Sequence, residues 1–316
     1  MIGKYYSIGT KLLCAIGGGV IVFGFLKIFT FSTNEDSMDL KKENFVAAQP
    51  YIPENLQFAG ENVPMQFIDV KESLDRELLV NVYWHSQTIL LIKRANRFFP
   101  IIEPILKEYG IPEDFKYIPV IESGLTNVGS PAGAKGYWQI VEGTAKGFGL
   151  EINENIDERN DIEKSTRMAC KYFLNSFEKF KSWPLVAASY NMGISGLSNS
   201  ISNQGANNFY ELWLNTETAR YVYRIIAAKL VIEHPKQYGI DIQAKDLYCP
   251  IKTIDFVVDT PVGTVASLAC KLDISYKTLK TLNPWLVSTE FPNKSRKKYI
   301  IKVPETGYKE MFSKNE

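Results

Sequence analysis

The sequence predicts a mainly α-helical body followed by a small α+β module. Three observations predict it: apolar residues recur at helical spacing across residues 72–238, no strand-like alternation interrupts them, and the last stretch changes to a β-α-α-β order. At 316 residues the chain has room for one large domain and a small one. Hydrophobic content of 45% with 22% charged residues is ordinary globular usage, enough to bury a core. A net charge of +1 offers no electrostatic reason for a nucleic-acid partner.

The N-terminal segment comes first. Between Lys11 and Lys27 the run LLCAIGGGVIVFGFL carries no charge, and Lys27 can snorkel so that Ile28 to Phe31 extend it toward the ~20 residues of a spanning helix. Lys4 and Lys11 precede the run and Glu35, Asp36 and Asp39 follow it, so the bulk of the chain is expected on the exported, periplasmic side of a cell envelope. A cleaved signal peptide competes with this reading. No small-x-small site follows Phe31, which favours an uncleaved anchor over residues 1–32. Residues 33–70 read as linker or lead-in, with Pro50, Pro53 and Pro64 and little periodicity.

The helical body is expected over residues 71–243. Leu74, Leu78, Val82, Ile89 and Ile92 define a first helix from about Glu72 to Ala95, and Ile101 to Tyr109 a second that Gly110 stops. Asp161 starts a third, in which Ala169, Tyr172, Phe173, Phe177 and Phe180 form the buried face. Pro184 opens another, ending at Gly193, and the last runs from Thr216 to His234 before Pro235. His85 is expected as a core residue. In the tail, Asp255–Val258 and Tyr299–Val303 read as strands around helices Val265–Lys271 and Tyr276–Leu282, giving a module over residues 250–305. The basic cluster Lys294, Arg296, Lys297 and Lys298 reads as a solvated loop. Cys14, Cys170, Cys249 and Cys270 show no CxxC pair and, with His85 and His234, no metal-ligand spacing; a Cys249–Cys270 bridge has no support. No cofactor is implied.

Several segments carry candidate chemistry. Glu122 in YIPVIESGL sits near the end of a short apolar helix. Burial and the negative helix end both raise a carboxyl's pKa, and a carboxylic acid still protonated near neutral pH can protonate a glycosidic oxygen. The bland alternative is a surface Glu at a helix end. GSPAGAKGYWQI places glycines and alanines ahead of an aromatic pair and Gln139, whose amide can bond an acetamido group or a hydroxyl. AASYNMG sets Tyr190 and Asn191 before Gly193, where turn chemistry alone is an equal explanation.

Taken together, IPEDFKYIPVIES, GAKGYWQI, DERNDIEKST, AASYNMG and TETARYV resemble, in order, the motifs of the lysozyme-like lytic transglycosylases of the SLT superfamily, specifically the membrane-bound murein transglycosylase D type. The resemblance runs from about Ala95 to Gly239. It implies a lysozyme-like helical domain, peptidoglycan glycan strands as partner, and Glu122 as the single catalytic acid. It places Ser123, Ser130, Gln139, Tyr190, Asn191 and Tyr221 at the substrate. It further implies cleavage between N-acetylmuramic acid and N-acetylglucosamine, leaving 1,6-anhydro ends. Tyr137–Trp138 and Ser189 depart from the family pattern and bear on subsite preference. The tail, from VDTPVGTVASLACKLDISYKTLKTLNPWL to YIIKVP, resembles a degenerate LysM module that could bind N-acetylglucosamine or pack on the body.

Two other classes stay open. A water-using muramidase needs a second carboxylate; Glu142, Asp157, Glu158 and Asp161 are candidates, although Asp161 reads better as a helix cap and Glu142 as solvent-facing. A non-catalytic glycan-binding scaffold predicts damage at Glu122, Gln139 or Asn191, and none is present. Nothing in the sequence sets the oligomeric state.

Overall fold

The computed structural model describes residues 48–305, so the N-terminal segment and residues 33–47 lie outside the described part. Among the described residues no helix is long and apolar enough to cross a membrane. The expected lead-in ends before residue 66. Strands β1 (Gln57–Phe58) and β2 (Glu61–Asn62) form a tight hairpin, and Phe58 is fully buried against Phe115. Asp114 accepts from the Ala59 N–H and Glu61 from the Trp183 N–H and the Ser182 hydroxyl, tying the hairpin to the body.

Helices α1 (Ile68–Tyr83) and α2 (His85–Glu108) replace the two expected helices, with different boundaries. The chain turns at Trp84, a break the apolar spacing does not announce. Past that corner the register rotates: Thr88, Leu91, Ile92 and Ala95 face the core, and Ile89 points outward. His85 opens α2 half-buried, edge-on to Tyr83 rather than inside the core. Helix α2 then runs through Pro100 and Pro104. Both prolines are exposed and four residues apart, so the hydrogen bonds they delete fall on the solvent side, where water can satisfy the carbonyls.

A 3₁₀ turn (Glu113–Tyr117) leads into α3 (Ile118–Ser123), and α4 (Glu142–Gly147) follows the glycine-rich loop. Helix α5 (Ile162–Phe180) starts at Asp161, whose carboxylate accepts from the Glu163 and Lys164 N–H groups, as its sequence position predicts. It buries Met168, Ala169, Tyr172 and Phe173, while Phe177 and Phe180 lie at the rim. Burying a side chain such as Phe173 contributes roughly 1.5–3 kcal/mol. Helices α6 (Trp183–Met192), α7 (Ile194–Gln204) and α8 (Thr216–Glu233) complete the body; α7 has no counterpart in the sequence reading. Helix α8 is its axis, with Tyr221, Val222, Ile225 and Ile226 fully buried and α1, α6 and α3 packed around it.

The tail follows the expected order. Strands β3 (Thr253–Val258) and β6 (Tyr299–Pro304) pair antiparallel, β4 (Gly263–Thr264) pairs with β5 (Glu290–Phe291), and α9 (Val265–Lys271) and α10 (Tyr276–Leu282) lie between. A second hydrophobic cluster forms around Trp285, Leu286, Phe291 and Ile301, and Ile156 of the helical body belongs to it. Ile156 pairs with Leu286 in a β-bridge, and the Asp157 and Val287 N–H groups bond Trp285 O and Asn155 O at 2.9 and 3.0 Å. Lys294, Arg296, Lys297 and Lys298 lie exposed in a loop, as expected, from which Lys297 meets Glu151 at 2.5 Å; Lys302 meets Glu163 at 3.0 Å. Cys249 and Cys270 are free, with no bridge between them.

Candidate active site

Glu122 stands on the last turn of α3 with its side chain largely buried. The helix stops at Gly124, whose φ of 61° is left-handed. A Cβ there would press on Gln87 and Leu91 at 3.2 and 3.4 Å, so this position suits glycine twice over. The end carbonyls of α3 do not stand bare: Arg224 donates to Ile121 O at 2.7 Å and Arg94 to Gly124 O at 3.0 Å. The helix-end contribution expected from sequence is therefore largely neutralised. Burial is the main cause that raises the Glu122 pKa. The Tyr221 hydrogen bond and the Arg224 charge act against it, and the charge of Glu217 acts with it.

The Tyr221 hydroxyl, fully buried, donates to Glu122 Oε1 at 2.5 Å. Burial and the neighbouring carboxylate push the Tyr221 phenol well above its ordinary range, so it remains a donor. Tyr190 is likewise pushed up, by burial and then by Glu122. On α8, Glu217, Tyr221 and Arg224 share one helix face by their i, i+4 and i+3 spacing. Of TETARYV, only Tyr221 is among the site residues expected from sequence. That spacing was the signal that could have found Glu217 and, one turn on, Arg224.

The other expected site residues are held by the backbone around them. The Ser123 hydroxyl donates to Tyr137 O at 2.7 Å, Tyr190 to Trp138 O at 2.7 Å, and Gln139 Nε2 to Val128 O and Gly136 O at 2.9 and 2.8 Å. The Ser130 hydroxyl accepts from the Ala134 N–H. Together they fold the 129–140 loop into a fixed turn beside Glu122. Asn191 donates to Glu217 Oε1 at 3.1 Å and accepts from the Thr218 hydroxyl at 2.6 Å, which joins the end of α6 to the start of α8.

The same loop rests on Arg159. Its guanidinium binds both Asp157 oxygens and donates to Gly133 O and Ile140 O at 3.0 and 3.2 Å. Burial alone would raise the Asp157 pKa, but the hydrogen bonds and charge of Arg159 outweigh it and hold the carboxyl below its usual range. Gly136, at φ 78°, passes so close that a Cβ would stand 1.9 Å from Arg159 O.

Of the four alternative carboxylates, Asp157 is paired with Arg159, Glu158 meets Lys164 at 2.5 Å, Asp161 caps α5, and Glu142 lies exposed beside Lys146. None acts on Glu122; Glu217 does. The departures from the family pattern concern packing. Trp138 is wholly buried, bonding the Thr166 hydroxyl, and Ser189 shares a 2.5 Å hydrogen bond with Ser176. A surface groove of about 1070 Å³ between the N-terminal hairpin and the end of α8 contains none of the motif residues. Glu122 opens instead onto a cavity of about 460 Å³ walled by α1, α2 and α8.

This arrangement can protonate a leaving oxygen from a buried acid and then stabilise the carboxylate left behind. Comparison with known proteins shows what the chain is similar to. Residues 99–213 match the transglycosylase SLT domain, and residues 254–307 match the C-terminal LysM-like domain of soluble lytic transglycosylases. The mainly helical body thus contains a stretch similar to the SLT domain, and the α+β tail is similar to the LysM-like module. The chain is homologous to membrane-bound lytic murein transglycosylase D of Escherichia coli, 27% identical over 235 residues, and the same figures hold for a second strain's protein. The match covers 72% of this chain and 50% of that protein, so the chain spans about half the length of the curated relatives it matches. A crystal structure of lytic transglycosylase Slt from Pseudomonas aeruginosa aligns at a TM-score of 0.36 and 17% identity, over 48% of this chain and 26% of that one.

Proposed function

We propose that this chain is a peptidoglycan lytic transglycosylase of the cell envelope, held to the membrane by residues 1–32, with its SLT body over 71–243 and a LysM-like module over 250–305. The observation that carries the chemistry is Glu122: a buried carboxyl whose pKa is raised and whose Oε1 is occupied by the Tyr221 hydroxyl. With Oε1 taken, the acidic proton belongs on Oε2, free to pass to the β-1,4 oxygen between N-acetylmuramic acid and N-acetylglucosamine. As that bond breaks, the muramyl N-acetyl carbonyl supports the developing cation. Glu122, now a carboxylate stabilised by Tyr221 and Arg224, then takes the proton from the same sugar's 6-hydroxyl, which closes on C1. That intramolecular hydroxyl outcompetes water through its effective concentration. Ser123, Ser130, Gln139, Tyr190 and Asn191 shape the substrate side, mainly by fixing the 129–140 loop and the α6–α8 junction.

The test is a digest of purified peptidoglycan by the chain from residue 48 onward, read by mass spectrometry beside Glu122→Gln. Muropeptides one water lighter than reducing ends, absent with the variant, are the expected result. Reducing ends would replace the reading with a hydrolase, for which Glu217 is the carboxylate to examine. Intact strands that still bind would leave a scaffold.

A further inference from the structure

The cavity that Glu122 opens onto has walls beyond the residues that the resemblance places at the substrate. Its floor is the end of α3, but Asn81, Trp84, Gln87 and Arg220 come from α1, the corner beyond it, α2 and α8. These four positions lie outside residues 99–213, the stretch matching the SLT domain. Ser123 also lines it, whereas none of Gln139, Tyr190 and Asn191 does. At about 460 Å³ it falls within the range of small-molecule sites.

Trp84 sits at the rim and is 60% exposed, an unusual setting for an indole. Packing does not hold it there. The corner is secured by backbone bonds, Trp84 N–H to Val80 O and Thr88 N–H to Trp84 O, which any side chain would permit. An exposed, flat aromatic face beside amide and guanidinium groups is the surface that a pyranose ring recognises, with its C–H face on the indole and its hydroxyls toward the polar wall. Resting on the activity proposed above, we infer that Trp84 is the platform of a subsite for an N-acetylhexosamine ring of the glycan strand, in the cavity that Glu122 opens onto.

The experiment separates binding from cleavage. In the otherwise intact chain carrying Glu122→Gln, calorimetry with soluble, uncross-linked glycan strands should show affinity about two- to tenfold lower for Trp84→Ala and near normal for Trp84→Phe. Trp84→Leu, which restores apolar bulk without a flat ring, should stay weak. In the Glu122 form, product release should show KM raised by Trp84→Ala with kcat little changed. Unchanged affinity and KM in a variant of unchanged Tm would overturn the subsite. Strands that bind in a Trp84-dependent way but are never cleaved would keep the subsite and remove the activity. Loss of both in the parent chain would remove both.

Discussion

The Arg159–Asp157 pair allows the support of the 129–140 loop to be measured directly. Both side chains are 3% exposed, and the guanidinium makes two bonds to the carboxylate and two to loop carbonyls. Arg159→Met keeps the apolar stem and removes the charge. Breaking one side of a buried pair costs about 3–5 kcal/mol, because the remaining ion stays desolvated. Lys135, 3.5 Å from Asp157 and half exposed, restores no more than about 1 kcal/mol. Ile140 O keeps its bond from the Lys135 N–H, and Gly133 lies exposed, so the orphaned carbonyls add little. That leaves about 2–5 kcal/mol, and at about 2–4 °C per kcal/mol for a body of this size, Tm at pH 7 should fall by roughly 4–20 °C by calorimetry or circular dichroism. The pH arm has a definite sign. Asp157 has a depressed folded pKa, so its contribution is present above the ordinary carboxylate pKa of about 3.9 and is lost as pH falls through the folded value. The gap between parent and variant should therefore narrow below about pH 4. A Tm within about 2 °C of the parent, or a gap that widens on acidification, would refute the account of a buried, stabilising pair.

Other outcomes follow from the same geometry. Removing the charge of Glu217 with Gln should lower the Glu122 pKa and move the alkaline limb of the pH–rate profile to lower pH, because the acid then loses its proton sooner. Arg224→Met should move that limb to higher pH, so shifts in the same direction would contradict the assignment. Gly136→Ala must place a methyl against Arg159 O at a left-handed φ; it should cost at least about 3 kcal/mol in denaturant unfolding, with activity falling in parallel.

Much of the body was legible from residues. Asp161 as a cap, Gly193 as a stop, Pro235 beyond α8 and the β-α-α-β tail all rest on local chemistry that a single sequence displays. Trp84 was not legible, because the apolar spacing continues across it with neither glycine nor proline, and the turn is decided by what each helix packs against. Pro100 and Pro104 are helix breakers by rule, yet α2 runs through both because they face water. At the site, residue type and setting single out Glu122 and the family resemblance singles out Tyr221, but neither gives their relation, since a hydrogen bond across 99 positions is a property of packing. Gln139 and Ser123 carried ligand-binding chemistry on paper, yet their donors bond backbone carbonyls, a choice made only once the loop has closed.

The shared bridge between Ile156 and Leu286 bears on how such a chain can be rearranged. Domains that are exchanged as cassettes must each close their own interior. Here the small module borrows Ile156 for its core, and the segment that lends it continues directly into Asp157 and Arg159. Cutting near residue 250 would open the module's core at one end and unseat the catalytic loop's support at the other. A graft of either part onto a foreign partner should therefore carry residues 151–160 with it.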